Sequence, residues 1–287
     1  MQVIAALKER TVTTTRRHAV RAGRVPRRAY CHYYIEADGL HSRVHLQNFW
    51  STFWPQYTAP ACARVYVFAA DGAPLGSTER EIPRFGSLFL EMRDVLREVG
   101  SEADEGMVAI DLAPPAELRE ALTELPGALT AEINTPYWMA YYDSTENYMY
   151  VHSIDKLGGE VFGTTRPVHW LLTRPRDRGE RWRSWRLLEL ENLTELQVVV
   201  INHGVRPGTT SIGLHAADDD APIVSRQLDL GPRQLRRVRF SADEFAAALA
   251  RRPSTYGRIG LDPLLTGNGK PYVLLRYGDG PLSLHHG

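Results

Sequence analysis

One stretch occurs twice in this chain, and the repeat constrains the fold more than any other feature. Thr135–Ser153 and Lys270–Gly287 both open with Pro-Tyr and place a second Tyr five residues after the first. Both then pass a short polar or Gly-rich turn and end in an apolar run that meets a His. With one residue fewer in the second turn, His152 and His286 fall into line. A long unit present only twice predicts two domains related by duplication rather than a repeat array.

Further matches occur in the same order in both halves. The turn Ala70–Pro74 is matched by Ala217–Pro222, and the strand Gly106–Asp111 is matched by Gly257–Asp262. Each half reads as two strands, a hairpin, a strand, a short helix and two strands. We also match the alternating stretches Ser42–Phe49 and Trp185–Leu193, with Asn48 opposite Asn192, and Tyr30–Ile35 with Val168–Thr173.

These patterns predict a mainly all-β protein of two tandem β-sandwich or jelly-roll-like domains. We expect one short helix in each half, at Arg93–Gly100 and from Ala242 to Arg251, and a helical insertion at Pro114–Leu125 in the first. Ser241 and Glu244 form a capping box for the second of these helices. The predicted divisions are a basic N-terminal extension at 1–28, a first domain at 29–157 and a second at 158–287, sizes that suit sandwich domains.

Composition narrows the class of function. The formal net charge is zero, which argues against a dedicated nucleic-acid-binding protein. No apolar run approaches the roughly 20 residues that a membrane-spanning helix needs, so we expect no membrane partner and a cytoplasmic location. The arginines of the extension favour either a solvated leader or an arm that contacts phosphate or an acidic partner. Cys31 and Cys62 are not in a CxxC pair, and we expect two reduced thiols.

The sequence contains none of the common catalytic motifs. There is no nucleophile elbow, P-loop, dinucleotide-binding glycine pattern or HExxH. His41 and His45 lie four residues apart, which on a strand separates them by roughly 13 Å, too far for one metal ion. A metal site would need residues such as His32, His45 and His152 to converge in space. We predict no metal site, and the sequence identifies no cofactor.

Aromatic residues provide the stronger functional signal. The strands within Pro136–Tyr150 place aromatic side chains on both faces of a sheet. One face packs in the core, and the aromatic residues of the other face are surplus to it. Surplus Tyr and Trp suit sugar rings and protein partners, although the same face could be buried against the sister domain. The candidate ligand-binding residues are Trp50, Trp54, Tyr57, Tyr137, Tyr142, His45 and His152.

Several of these segments resemble the small β-sandwich family of the sensory rhodopsin transducer. The similarity lies in HLQNF, in the Asp-Gly turn of AADGAP, in IPRFGSLFLEMRDV and in the closing Pro-Tyr strand pair, and it covers about 40–153 and 185–286. The resemblance implies a non-enzymatic binding or signalling module that binds carbohydrate-like ligands and assembles into oligomers. It carries over no catalytic residue, and this chain differs from the family in its tandem form, helical insertion and aromatic loop.

Three functional hypotheses follow. The first is a non-enzymatic protein that binds a carbohydrate-like small molecule or a protein through the aromatic-rich surface of the first domain. The second is a metal-assisted isomerase or lyase with a histidine site in a duplicated β fold. The third is a structural assembly protein, and a homo-oligomer is compatible with all three.

Overall fold

The structure is a computed structural model that describes residues 29–113, 115, 117–118, 137–152, 156–157, 184–204, 207–217, 219–250, 255–265 and 270–286. The predicted extension at 1–28, the strand predicted at Val168–Thr173 and nearly all of the helix predicted at Pro114–Leu125 lie outside these ranges. The described residues form four antiparallel sheets and a few short helices, which confirms the all-β, sandwich-like fold class.

The described residues of the first half include nine strands and two helices. The strands are β1 Ala29–Ile35, β2 His41–Gln47, β3 Ala61–Ala69, β4 Pro74–Ile82, β5 Ser87–Glu91, β6 Glu105–Ala113, β7 Trp138–Tyr142, β8 Tyr148–His152 and β9 Lys156–Leu157. The helices are α1 Phe49–Phe53 and α2 Met92–Glu98.

In the second half, the part of the chain that the structure describes includes eight strands and one helix. The strands are β10 Ser184–Glu189, β11 Leu193–Ile201, β12 Gly208–Ala216, β13 Pro222–Leu230, β14 Leu235–Phe240, β15 Tyr256–Asp262, β16 Tyr272–Tyr277 and β17 Ser283–His286. The helix is α3 Ala242–Ala250. Its capping box is formed as predicted, because Ser241 N donates to Glu244 Oε2 at 2.7 Å and Glu244 N donates to Ser241 Oγ at 3.4 Å.

The two halves have the same strand topology. Sheet A has the order β4-β3-β6-β1-β9, and sheet C repeats its first four strands as β13-β12-β15-β10. Sheet B, β5-β2-β7-β8, is repeated by sheet D, β14-β11-β16-β17. A register irregularity also recurs, between Val67 and Phe68 in β3 and between Leu214 and His215 in β12. The same frame has therefore been built twice.

Equivalent asparagines fix the same turn in both halves. Asn48 Nδ2 donates to the carbonyl oxygens of Ile82 and Pro83, at 3.1 and 3.2 Å. In the second half, Asn202 Nδ2 donates to the carbonyls that end β13 and begin the next turn, at 3.1 and 3.0 Å. Our match of Asn48 with Asn192 is therefore wrong. β11, rather than the predicted Trp185–Leu193, corresponds to β2, and β10 corresponds to β1.

The repeated ending needs a correction of one residue. β7 pairs Trp138 with His152, and β16 pairs Tyr272 with His286, so the two histidines are equivalent as predicted. The same pairing makes Trp138, and not Tyr137, the counterpart of Tyr272. The two hairpins therefore have the same length. The one-residue difference that we placed in the turn lies before the hairpin, because Pro136 is two residues from Trp138 and Pro271 is one residue from Tyr272.

Each sandwich has an apolar core, and the two halves share an interface. One cluster of buried side chains joins the inner faces of sheets C and D. The other joins the inner faces of sheets A and B and also contains second-half residues from sheet D, namely Val199, Ile201, Leu235, Tyr272, Leu274, Leu282 and Leu284. These side chains lie on the opposite face of sheet D from its own core residues, such as Val198 and Val273. Sheet D is therefore covered on both faces.

Within the described residues, no helix combines the length and the apolar character that crossing a membrane requires. Cys31 and Cys62 are not joined by a disulfide; Cys31 is buried and Cys62 is half-buried.

Candidate functional site

The outer face of sheet B carries most of the large exposed aromatic side chains of the first half. We call it the open face and define it by Arg43, His45, Phe89, Glu91, Trp138, Ala140, Tyr142, Tyr148, Tyr150 and His152. Phe89 is 60% exposed and Trp138 is 45% exposed. Strand alternation produces this face, because Val44, Leu90 and Met139 point to the core while their neighbours in sequence point away from it.

Cross-strand pairing arranges the open face in rows. One row runs from Phe89 through His45 and Trp138 to His152, each residue directly paired with the next. The His45 ring lies 4.6 Å from the Phe89 ring, and the Trp138 ring lies 5.7 Å from the His152 ring, both edge to face. Directly paired side chains of this kind stabilise a sheet and hold one another in place. The row is therefore an ordered aromatic surface.

A polar network occupies one end of the open face. Arg43 Nε donates to Glu91 Oε1 at 2.5 Å, and Tyr142 Oη donates to Glu91 Oε2 at 2.6 Å. Burial alone would raise the pKa of Glu91, but the hydrogen bonds from Tyr142 and Arg43 outweigh it and lower that pKa. The Arg43 guanidinium also lies over the rings of Tyr142 and Tyr148, at 4.9 and 5.6 Å from their centroids. Tyr142 is thereby covered, with 7% of its surface exposed.

The predicted ligand-binding residues fall into three places. His45, Tyr142 and His152 lie on the open face. Trp50, Trp54 and Tyr57 lie in and after α1, beyond the end of β2, where Trp50 is buried and Trp54 packs on it at a ring distance of 6.1 Å. Tyr137 points to the core and donates a hydrogen bond to the Val108 carbonyl at 3.1 Å. These seven residues therefore do not converge on one cleft.

α1 follows from local sequence chemistry. Asn48 Oδ1 accepts a hydrogen bond from Ser51 N at 3.2 Å, so Asn48 caps this helix while its amide group holds the neighbouring turn. Trp50 and Ser51 are the buried residues of the helix. The aromatic segment Trp50–Tyr57 is thus a short capped helix and its exit, packed on the sandwich.

The histidines of the first half lie in different environments. His32 is fully buried, with its ring 4.7 Å from that of Tyr137. His45 lies on the open face, where burial and then the Arg43 charge lower its pKa. Trp138 stands between His45 and His152 in the sheet. Among the described residues, no three His, Cys, Asp or Glu side chains come together as a metal site.

The outer face of sheet D occupies the equivalent position in the second half, and we call it the covered face. Its residues correspond to those of the open face strand by strand. Arg43, His45, Phe89, Trp138, Tyr148 and Tyr150 are matched by Gln197, Val199, Arg237, Tyr272, Leu282 and Leu284. Tyr272 is 2% exposed, and Val199 and Leu284 are also buried. The first half of the chain covers this face, whereas the open face is exposed.

Sequence reasoning missed Phe89 as a member of the site. The signal was present in the alternation of β5, since Phe89 lies between Ser87 and Glu91 on the polar side of that strand. An aromatic residue in the polar register of a half-buried strand must project away from the core. Trp138 and Tyr150 were recognised as surplus aromatic residues but were not assigned to the site.

Comparisons with known proteins give little further information. No protein-family model matches the chain, and no curated protein matches it. Among solved structures, a β-glucuronidase from glycoside hydrolase family 2 is similar over 91% of this chain at 10% identity, with a TM-score of 0.15. The chain spans 23% of the length of that protein. A likeness with this TM-score carries no argument about function.

Proposed function

We propose that this chain is a non-enzymatic binding protein that docks a partner protein on its open face. The observation that supports this proposal most directly is the difference between two equivalent faces. The covered face is buried by protein surface, while the open face keeps Phe89, Trp138 and Tyr150 exposed. Exposed aromatic side chains grouped on one surface, with an arginine beside them, are typical of protein-binding sites.

The packing of the rings favours a protein partner over a sugar. Tyr148 stacks on Tyr142 at 5.2 Å and on Tyr150 at 6.1 Å, and Arg43 covers two of these three rings. A sugar ring binds to an open aromatic face. Here several faces are already used, and the surface presents a mixture of ring edges, hydroxyl groups and imidazoles, which suits the mixed apolar and polar surface of a protein.

Site-specific photo-cross-linking tests this proposal. A photoreactive phenylalanine analogue, p-benzoylphenylalanine, replaces Tyr150 in the full chain, and cells that naturally contain the protein are irradiated. We expect a defined protein adduct from position 150, identified by mass spectrometry. The matched control places the same analogue at Phe53, which is exposed but lies in α1, outside the open face.

The adducts distinguish the alternatives. A protein adduct at position 150 that is absent at position 53 supports the proposal. A glycan adduct at position 150 would replace the protein partner by a carbohydrate. Equal labelling at the two positions, or no adduct at position 150, would overturn the proposal.

A further inference from the structure

The contact between the two halves shows how this type of sheet face is covered. On the covered face, the Tyr272 ring lies 5.6 Å from the Tyr33 ring of sheet A. Arg237 Nη2 donates to Glu105 Oε2 at 2.6 Å, and Tyr33 Oη donates to the same carboxylate oxygen at 2.7 Å. Sheet D of the second half therefore packs on β1 and β6 of the first half through an aromatic pair and a charged network.

In the second half, the residues equivalent to Tyr33 and Glu105 are exposed. The pairing of β1 with β6 and of β10 with β15 places Leu187 where Tyr33 lies and Tyr256 where Glu105 lies. Leu187 is 59% exposed and Tyr256 is 47% exposed. We call this surface of sheet C the unmatched face. One chain thus presents both members of a duplicated contact, the open face in its first half and the unmatched face in its second.

The side chains at these positions suit one another. Where the covered contact pairs Tyr272 with Tyr33, the equivalent contact would pair Trp138 with Leu187, again two apolar side chains. Where it pairs Arg237 with Glu105, the equivalent contact would pair Phe89 with Tyr256. Both ends of the ion pair are replaced by aromatic rings, so this pair of positions would bury no charge without its partner.

A third contact shows where the arrangement cannot be copied without a shift. The turn at Gly72 approaches the turn at Pro232 so closely that a Cβ on Gly72 would lie 2.4 Å from the Pro232 carbonyl oxygen. The equivalent positions carry Asp220 and Arg84, as the matching turn hydrogen bonds show. Both side chains are exposed, and their charges are opposite. Asp220 carries the Cβ for which the covered contact has no room, so these two turns must lie further apart between chains than within one. Asp220 also accepts a hydrogen bond from Arg258 at 2.6 Å, and its charge attracts Arg84 across that wider gap.

We propose that the partner docked on the open face is a second copy of this chain, which presents its unmatched face. This inference rests on the proposed function and names its partner. The contact repeats between chains the arrangement that joins the two halves within one chain. It is heterologous, because two different surfaces meet, so copies add head to tail and form a closed ring or an open filament.

Sedimentation equilibrium of the full chain tests the inference. We expect the wild-type mass to rise above the 32.4 kDa of one chain as the protein concentration increases. Trp138→Asp on the open face and Leu187→Asp on the unmatched face should each remain monomeric at concentrations where the wild type associates. Phe53→Asp, an equally exposed site in α1, should associate as the wild type does.

Mixing the two variants tests the head-to-tail arrangement. The Trp138→Asp chain keeps its unmatched face, and the Leu187→Asp chain keeps its open face, so together they can form one intact contact. We expect a 1:1 complex of twice the chain mass that grows no further. Circular dichroism checks that each variant is folded, and Phe89→Lys and Tyr256→Lys replace any variant that is not.

Two results would overturn the inference. One is a wild-type protein that stays monomeric at all concentrations. The other is an associating wild type whose two variants fail to combine when mixed, since the contact would then lie elsewhere. Neither result removes the proposed function, which stands if position 150 cross-links to a different protein and fails if it cross-links to none.

Discussion

The outer faces of sheets B and D occupy the same place in a duplicated frame, yet one is exposed and the other is buried. The covered face carries aliphatic side chains, Tyr272 and Arg237, all packed on the first half. The open face carries Phe89, Trp138 and Tyr150 together with histidines and a guanidinium. The difference teaches that one strand frame can carry two different surface chemistries. Buried positions need complete internal pairing of every charge, whereas exposed positions can leave polar edges in water.

The largest expected difference between the faces comes from equivalent aromatic residues. Tyr272→Ala removes a fully buried ring from the interface between the halves and should lower the free energy of unfolding by about 3–5 kcal/mol. Trp138→Ala at the equivalent exposed position should lower it by less than about 1 kcal/mol. Urea denaturation of both variants measures the difference. Equal losses would show that the two faces do not differ in burial.

A pair of glycines tests whether the underlying frame is the same in both halves. A Cβ on Gly106 would lie 2.1 Å from the Phe68 carbonyl oxygen, and a Cβ on Gly257 would lie 3.0 Å from the equivalent carbonyl oxygen of His215. We expect Gly106→Ala to lower the free energy of unfolding by about 3 kcal/mol and Gly257→Ala by about 1 kcal/mol. Thermal unfolding of the two variants checks this order. A neutral Gly106→Ala would contradict the close packing of β3 on β6.

Two arginines on β14 allow the loss of a buried charge to be compared with the loss of an exposed one. The Arg237 side chain is 14% exposed and that of Arg239 is 64% exposed, and both lie within ion-pair distance of Asp38. Arg237→Met leaves Glu105 without its partner and should cost about 2 kcal/mol, after allowance for its partial exposure. Arg239→Met should cost less than about 0.5 kcal/mol. Denaturation in low and high salt measures both effects, and a larger loss for Arg239→Met would reverse the assignment.

The smallest expected effect is the contribution of His45, on the open face, to the dependence of stability on pH. The pKa of His45 is lowered by burial and by Arg43. As pH falls below about 6.5, the unfolded chain therefore takes up a proton before the folded chain does, and stability is lost. His45→Val, which copies Val199 of the covered face, removes this loss. We expect the variant to lose less stability than the wild type between pH 7.5 and 5.5, and the partial exposure of His45 keeps this difference small.

Urea denaturation of both proteins across this pH range measures the difference between them. Parallel losses in the two proteins would show that His45 does not contribute.

Much of the fold could be predicted from the sequence, because alternation, turns and capping residues act locally. The hairpin of β3 and β4, the helix after β5 and the capping box at Ser241 are all present. The match of Trp185–Leu193 with Ser42–Phe49 failed for a physical reason. Alternation recurs in every half-buried strand, so it does not tell one strand of a sandwich from the next. Only the pairing of β10 with β15 shows that this stretch corresponds to β1, which pairs with β6 in the same way.

The candidate site was predicted only in part. Alternation showed that the strands from Pro136 to Tyr150 carry aromatic residues on the face that does not pack in the core. Trp138 and Tyr150 do project outward. The assignment of Trp50 and Tyr137 to the same surface did not follow from alternation. Trp50 turned inward because α1 packs on the sandwich, and Tyr137 belongs to the core register of β7.

The sequence by itself determined the strands, the side of each strand that faces its own core, and the repetition of the whole order. These follow from side-chain periodicity and turn chemistry, which depend on residues close together in the chain. Only the tertiary structure decided which of two equivalent outer faces would be covered. Burial of a face requires a second surface that fits it, and the surface that fits sheet D comes from strands more than a hundred residues away.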